Sequence, residues 1–320
     1  MRKLFKKSLL CLALSGVLIT SMTGCSKKEE VTVDSLFTKS QEASKNAKSV
    51  DMTIGLDVDG AFSFGGETSM NVKLKADLNS KAEDKKGAYV DGTVNMDMFG
   101  MSQEVPVKSY TDLSQDGKVI SYTYDKDTDS WEKSEDDSTS DMTASLGKMK
   151  DLDYSSVYKS LTLAKETETY NNVEAYHVSG EIKGTDLDSV ISKLDDSMKE
   201  ALKDVDLSSI VVGADFYFST KDSSMVGVSL DLAKTDFGKL TSELDKKAEG
   251  GTAKDDKAED TAKDDKAEDV IATDEPSSEN SGVSFKTCKV EIKINSFDNY
   301  TFKVPDEVID AVNKREVNED

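Results

Sequence analysis

The sequence predicts an α+β fold: one curved antiparallel sheet with helices on its inner side. Three observations predict it. Apolar and polar residues alternate with period two over many short segments, as in strands with one covered and one wet face. A few segments instead carry apolar residues at helical spacing, chiefly near the two ends. Strands and helices do not alternate regularly, so no βαβ parallel sheet is expected.

The elements follow in order. Arg2, Lys3, Lys6 and Lys7 precede a short apolar run from Leu9 to Ile19. That run is too short to span a bilayer and has the layout of an export signal over residues 1–24. Met22-Thr23-Gly24-Cys25 resembles the box at which lipoprotein signals are cleaved, so Cys25 is expected to carry lipid. Met22 departs from the usual Leu. Residues 25–32 then form a polar, lipidated tether, and 33–320 one β-rich domain.

Asp34 is placed to cap a helix running to about Ser49, with Val33, Leu36, Phe37, Ser40, Ala43 and Ala47 on one stripe. Alternation begins at Val50, Met52, Ile54, Leu56 and Val58, and Asp59-Gly60 reads as a turn. It resumes at Met70, Val72, Leu74, Ala76 and Leu78. After a charged loop from Asn79 to Gly87 it returns at Ala88, Val90, Gly92, Val94, Met96 and Met98. Gly55, Gly65, Gly66 and Gly92 sit where bends, bulges or loops would fall. Further strands are expected near 104–111, 118–125 and 130–134.

Residues 140–160 read as a helical or irregular crossing segment. Strands follow at 161–170 and 173–183, joined by Asn171-Asn172. Asp186 opens a second amphipathic helix through Leu187, Val190, Ile191, Leu194, Met198 and Leu202. A hairpin over 209–219 and 224–235 turns at Lys221-Asp222. The nine residues Thr252–Asp260 recur unchanged as Thr261–Asp269, with almost nothing to bury. The stretch 245–281 is therefore expected to be a disordered acidic insertion. Val283 to Ile294 and Tyr300 to Val304 complete the strands, and Pro305 opens a terminal helix through Val308, Ile309 and Val312.

Composition excludes several functions. The formal charge is -22, and loss of the four cations of the signal takes it to -26. So acidic a body is no partner for nucleic acid. Membrane attachment is expected through the N-terminal lipid. Cys11 leaves with the signal and Cys25 takes lipid, so Cys288 cannot form an internal disulfide and reads as a small buried hydrophobe. His177 is the sole histidine and has no nearby nucleophile motif. The protein is expected to be a monomer, not an enzyme, with no cofactor. Asp125, Asp127 and Asp129 have the spacing that opens a calcium loop. Ser130 stands where that loop needs Gly, and Asp136 where it needs Glu, so the segment reads as a wet hairpin tip.

The order of elements is also familiar. Cys25 leads to an amphipathic helix and then to Ser49-Val50-Asp51-Met52-Thr53. Later come Tyr122-Thr123-Tyr124, Trp131-Glu132-Lys133, Asn172-Val173-Glu174-Ala175-Tyr176 and the closing Phe302-Lys303-Val304-Pro305. This resembles uncharacterised lipoproteins of Gram-positive bacteria and, more remotely, the LolA/LolB and LppX/LprG lipoprotein group. The resemblance implies a half-open β-barrel closed by helices, whose hollow carries acyl chains or lipoproteins in several members. Met52, Ile54, Met70, Val72, Met96 and Met98 lie on the apolar phase of their strands and are the candidate lining for a lipid or other apolar ligand. Methionine's flexibility suits such a surface. The same residues also suit a filled core, which would leave a surface interaction or sensory role.

Overall fold

The computed structural model describes residues 30–63, 69–114, 118–136, 155–187, 206–237, 239 and 283–319. The signal 1–24, Cys25, Gly65, Gly66, the crossing segment up to 154, most of the helix expected from Asp186 and the insertion 245–281 lie outside the described residues. Of that helix, a 3-10 turn over Gly184–Leu187 is described.

The described strands join in one open antiparallel sheet. They are β1 (Ser49–Ser63), β2 (Ser69–Glu83), β3 (Gly87–Met98), β4 (Met101–Asp112), β5 (Val119–Asp125), β6 (Ser130–Asp136), β7 (Thr162–Leu163), β8 (Glu168–Tyr170), β9 (Val173–Lys183), β10 (Val211–Ser219), β11 (Met225–Asp231) and β12 (Val283–Phe297). Their order across the sheet is β6-β5-β4-β3-β2-β1-β12-β11-β10-β9-β7, with β8 paired on β9. The last strand therefore closes against the first, and β6 and β7 remain as ends. The α+β class and the open, unclosed sheet agree with the sequence reading.

Register fixes which face each side chain occupies. Ile54 pairs with Ile292, Ile292 with Val228, Val228 with Phe216 and Phe216 with Val178. Directly paired residues share a face, so this apolar row crosses half of the sheet on one side. The helix Val33–Asn46 packs there: Leu36 and Phe37 are buried, and the Phe37 ring meets Phe216 and Phe218 edge-on. Asp51, Asp57 and Asp59 point to the other side, where they pair with Lys81, Lys75 and Lys73 of β2. A slip of one residue would exchange these two sets.

A second core lies on that other side, at the opposite end of the sheet. Tyr89 pairs with Lys81, which pairs with Asp51, so Tyr89 shares the charged face. Tyr110 pairs with Tyr89 and with Tyr122. These rings, with Ile120 and Trp131, pack under Val304, Val308 and Val312 of the C-terminal segment and helix Asp306–Glu319. The two described helices thus cover opposite faces. The first helix seats on the long apolar row and the second on the aromatic patch of β3 to β6. Aromatic residues on the nominally wet phase of β3 to β6 created a second apolar patch that needed its own cover.

Other boundaries moved for local reasons. Thr32, not Asp34, caps the first helix: its hydroxyl accepts from Ser35 N at 3.1 Å, and Ser35 Oγ accepts from Thr32 N at 2.9 Å. Strand β1 runs through Asp59-Gly60 without turning, and a register shift against β12 falls there. Asn79 to Glu83 are strand, because Lys81 finds Asp51 across the ladder. Tyr300 to Val304 form no strand. Phe302 N donates instead to the Glu83 carboxylate at 2.6 Å, and Val304 is buried in the second core.

Candidate functional site

The candidate site is the stretch of apolar face that continues past the first core, built by β1 to β4. Three cross-strand rows define it. Leu56 pairs with Ala76, Ala76 with Val94 and Val94 with Val105. Val58 pairs with Leu74, Leu74 with Met96 and Met96 with Gln103. Gly60 pairs with Val72, Val72 with Met98 and Met98 with Met101. Phe62 and Met70 add a further pair at the same end. Ala76 and Val94 are buried, while Leu56, Val58, Leu74, Met96, Val72 and Met98 are partly buried. Cys288 joins the face opposite Val58, in phase with Val290 and Ile292.

The structure divides the six residues proposed from sequence. Met52 and Ile54 pack against the first core beside Ile294 and Ile292. Met70, Val72, Met96 and Met98 lie toward the β3–β4 turn, in neither core of the described residues. All six lie on one face of the sheet, and Leu56, Val58 and Leu74 share it; the cross-strand pairing, not residue type, gathers these three into the same field.

Gly92 shapes this part of the sheet. Its φ is +152°, and a Cβ there would lie 2.0 Å from the Asp77 carbonyl oxygen. Only glycine lets β3 pass β2 so closely.

The wet face carries a polar constellation over β8 to β12. His177 Nδ1 lies 2.9 Å from Glu168 Oε1, and Nε2 lies 2.9 Å from Asp215 Oδ1. Both contacts are hydrogen bonds at once only when both ring nitrogens carry protons. The ring stacks on Tyr217 at 4.8 Å, and Tyr217 stacks on Tyr170 at 3.8 Å. Tyr170 donates to Glu291 at 2.9 Å and fits because Gly227 has no side chain beneath it. Carboxylate oxygens of two other strands thus lie beside both His177 nitrogens. This cluster fastens the short edge strand β8 onto the sheet. Among the described residues, no group of His, Cys, Asp and Glu is arranged to hold a metal ion.

The acidic triplet is a turn. Asp125 Oδ1 accepts from Asp127 N at 2.8 Å, and Asp129 accepts from Tyr124 OH. Asp129 has φ +49°. The backbone donor at Asp127 holds the Asp125 carboxyl below its usual range.

Several tyrosines are hard to ionise. Burial, then the Asp91 charge, pushes Tyr89 up to about 12; burial, then Asp215, pushes Tyr217 up to about 12. Tyr170 is raised further by burial and by its bond to Glu291. The folded chain keeps protons that an unfolded chain releases near the ordinary value of 10.0. Stability from these groups is full below about pH 10 and is lost as pH rises toward and through 12. A pH titration followed by tyrosinate absorbance and circular dichroism should show part of the tyrosine signal delayed and lost together with the fold. Simple titration of every tyrosine near pH 10 with the fold intact would contradict the burial described.

An open antiparallel sheet with a helix on each face places the protein among α+β half-barrel domains. The chain belongs to DUF6612, a family of unknown function, which it matches over residues 32–212. It is similar to the crystal structure of LprF from Mycobacterium bovis, at 10% identity and a TM-score of 0.36, covering 82% of this chain and 91% of that one. It is also similar to a Vibrio parahaemolyticus domain described as an outer membrane lipoprotein-sorting protein, at 9% identity and a TM-score of 0.16, covering 84% and 90%. No curated protein matches the chain. Among the described residues, no helix is long and apolar enough to cross a membrane.

Proposed function

We propose that the protein is an extracytoplasmic lipoprotein, held to the membrane by acyl groups on Cys25, whose apolar sheet face binds a lipid or acyl chain. One observation carries the binding part. Leu56, Val58, Leu74, Val72, Met96 and Met98 form a contiguous apolar field that belongs to neither packed core of the described residues. A flexible hydrocarbon chain laid on this field would gain about 0.8 kcal/mol per buried methylene. The export layout of residues 1–24 and the box ending at Cys25 support the anchoring part. The acidic charge argues against attachment by a basic patch. A second reading, a surface interaction protein with a filled core, is favoured by the burial of Ala76 and Val94.

Binding of a fluorescent fatty acid to the purified protein separates the two. Met96→Glu should weaken it at least about tenfold, because a carboxylate would be desolvated against the chain. Lys75→Gln, on the opposite face, should leave it unchanged. No saturable binding, or equal loss in both variants, would favour the filled core.

A further inference from the structure

We propose that the tip of the β3–β4 hairpin, Met98 to Met101, dips into the lipid bilayer to which the protein is anchored. This rests on the anchored reading of Cys25 and adds the surface by which the folded domain itself meets the membrane. Among the described residues, Phe99 and Met101 are the large hydrophobics that stand out in solvent, 73% and 68% exposed. Met98 and Met101 face each other across a two-residue turn. The turn residues Phe99 and Gly100 both have positive φ, 55° and 74°. Asn-Gly or Asp-Gly is the ordinary choice for such a turn, and a bulky residue in the left-handed region is strained. The chain therefore accepts local strain to hold an aromatic ring outward, at a place where a polar residue would be both more soluble and easier to fold.

The surroundings point the same way. From Met98 to Gln103 there is no charged residue, in a chain that is 32% charged. Phe62 and Phe285 pack edge-on at 5.9 Å at this end of the sheet, and Phe237 meets Phe285 at 4.7 Å. The tip is continuous with the apolar field through the Val72–Met98–Met101 row. Of the apolar phases that could take the tip, the bilayer is the one the anchored chain always has beside it. The tether from Ser26 to Thr32 is seven residues and spans at most about 24 Å when extended. Asp97 and Glu104 flank the tip, so its affinity is apolar rather than electrostatic. Contact should then be at least as strong on zwitterionic as on anionic lipid.

The test uses the lipidated protein reconstituted into phosphatidylcholine vesicles, with and without brominated acyl chains. Phe99→Trp places an indole at the tip; Trp131, packed in the second core, supplies the background in the unsubstituted protein. The added emission should be blue-shifted and quenched by bromolipid at least several-fold more than that background. Adding Met101→Ser should reduce the quenching. A red, unquenched indole at the tip would overturn the proposal, and so would quenching that requires anionic lipid. Intact mass reports the acyl groups, and fatty-acid binding by Phe99→Ser reports the apolar field. Loss of either of those is thereby told apart from failure of the tip to enter lipid.

Discussion

Phe216→Ala should destabilise the domain by about 3–5 kcal/mol, the range for removing a ring from a packed interior. Phe216 is 1% exposed. It sits between Val178 and Val228 in the row that joins β9, β10 and β11, and the Phe37 ring of the first helix lies edge-on against it at 4.9 Å. Removing the ring therefore loosens both the strand row and the helix seated on it. Urea unfolding followed by circular dichroism should show an earlier midpoint. Leu74→Ala, in the apolar field of β1 to β4, should lose much less, because that side chain is only partly buried. Equal losses at the two positions would mean that the field is as tightly packed as the core.

Gly92→Ala should cost on the order of 3 kcal/mol, although it adds a single methyl group. The new Cβ would fall 2.0 Å from the Asp77 carbonyl oxygen, and backbone cannot swing aside as a side chain does. Strand β2 would have to move off β3, opening the ladder around Leu78. Gly55→Ala is the internal control: its Cβ would stand 3.8 Å from the nearest atom, and alanine suits a strand better than glycine. That variant should be neutral or slightly stabilised in the same unfolding assay. A neutral Gly92→Ala would show that the close passage of β2 and β3 is not required.

Much of this was legible because strand periodicity is simple. Val50 to Val58 alternate so regularly with Asp51 to Asp59 that the phase of β1 could be assigned from residue type alone, and β2 and β3 followed. The second core was harder. Tyr89, Tyr110 and Tyr122 stand on the phase that reads as wet in β1 and β2, and only their size betrays a second buried patch. Tyr89, set between Ala88 and Val90, was the available signal that the first turn-side residues of β3 are covered on both faces. Asp59-Gly60 misled for a different reason. A dipeptide that favours a turn was overruled by Phe62, whose pairing with Met70 carries β1 four residues further. Charge is a poor guide at Asn79 to Glu83, because each of these residues is paired across a ladder and Lys81 meets Asp51 there.

The candidate site was legible as a phase and not as a place. Nothing local to Met52 distinguishes it from Met96. What separates them is that β12 closes beside β1 and brings Ile294 and Ile292 against Met52 and Ile54, a contact between residues far apart in the chain. The same holds for His177. Its strand position was clear, but Glu168 and Asp215 reach it from two other strands.

The most direct measurement is native mass spectrometry of the protein purified from its own host under conditions that keep apolar ligands bound. We expect adducts of lipid mass that vanish after organic extraction and are depleted in Met96→Glu. A single clean mass in every preparation, unchanged by extraction, would mean that the partly buried apolar field of β1 to β4 has some other purpose.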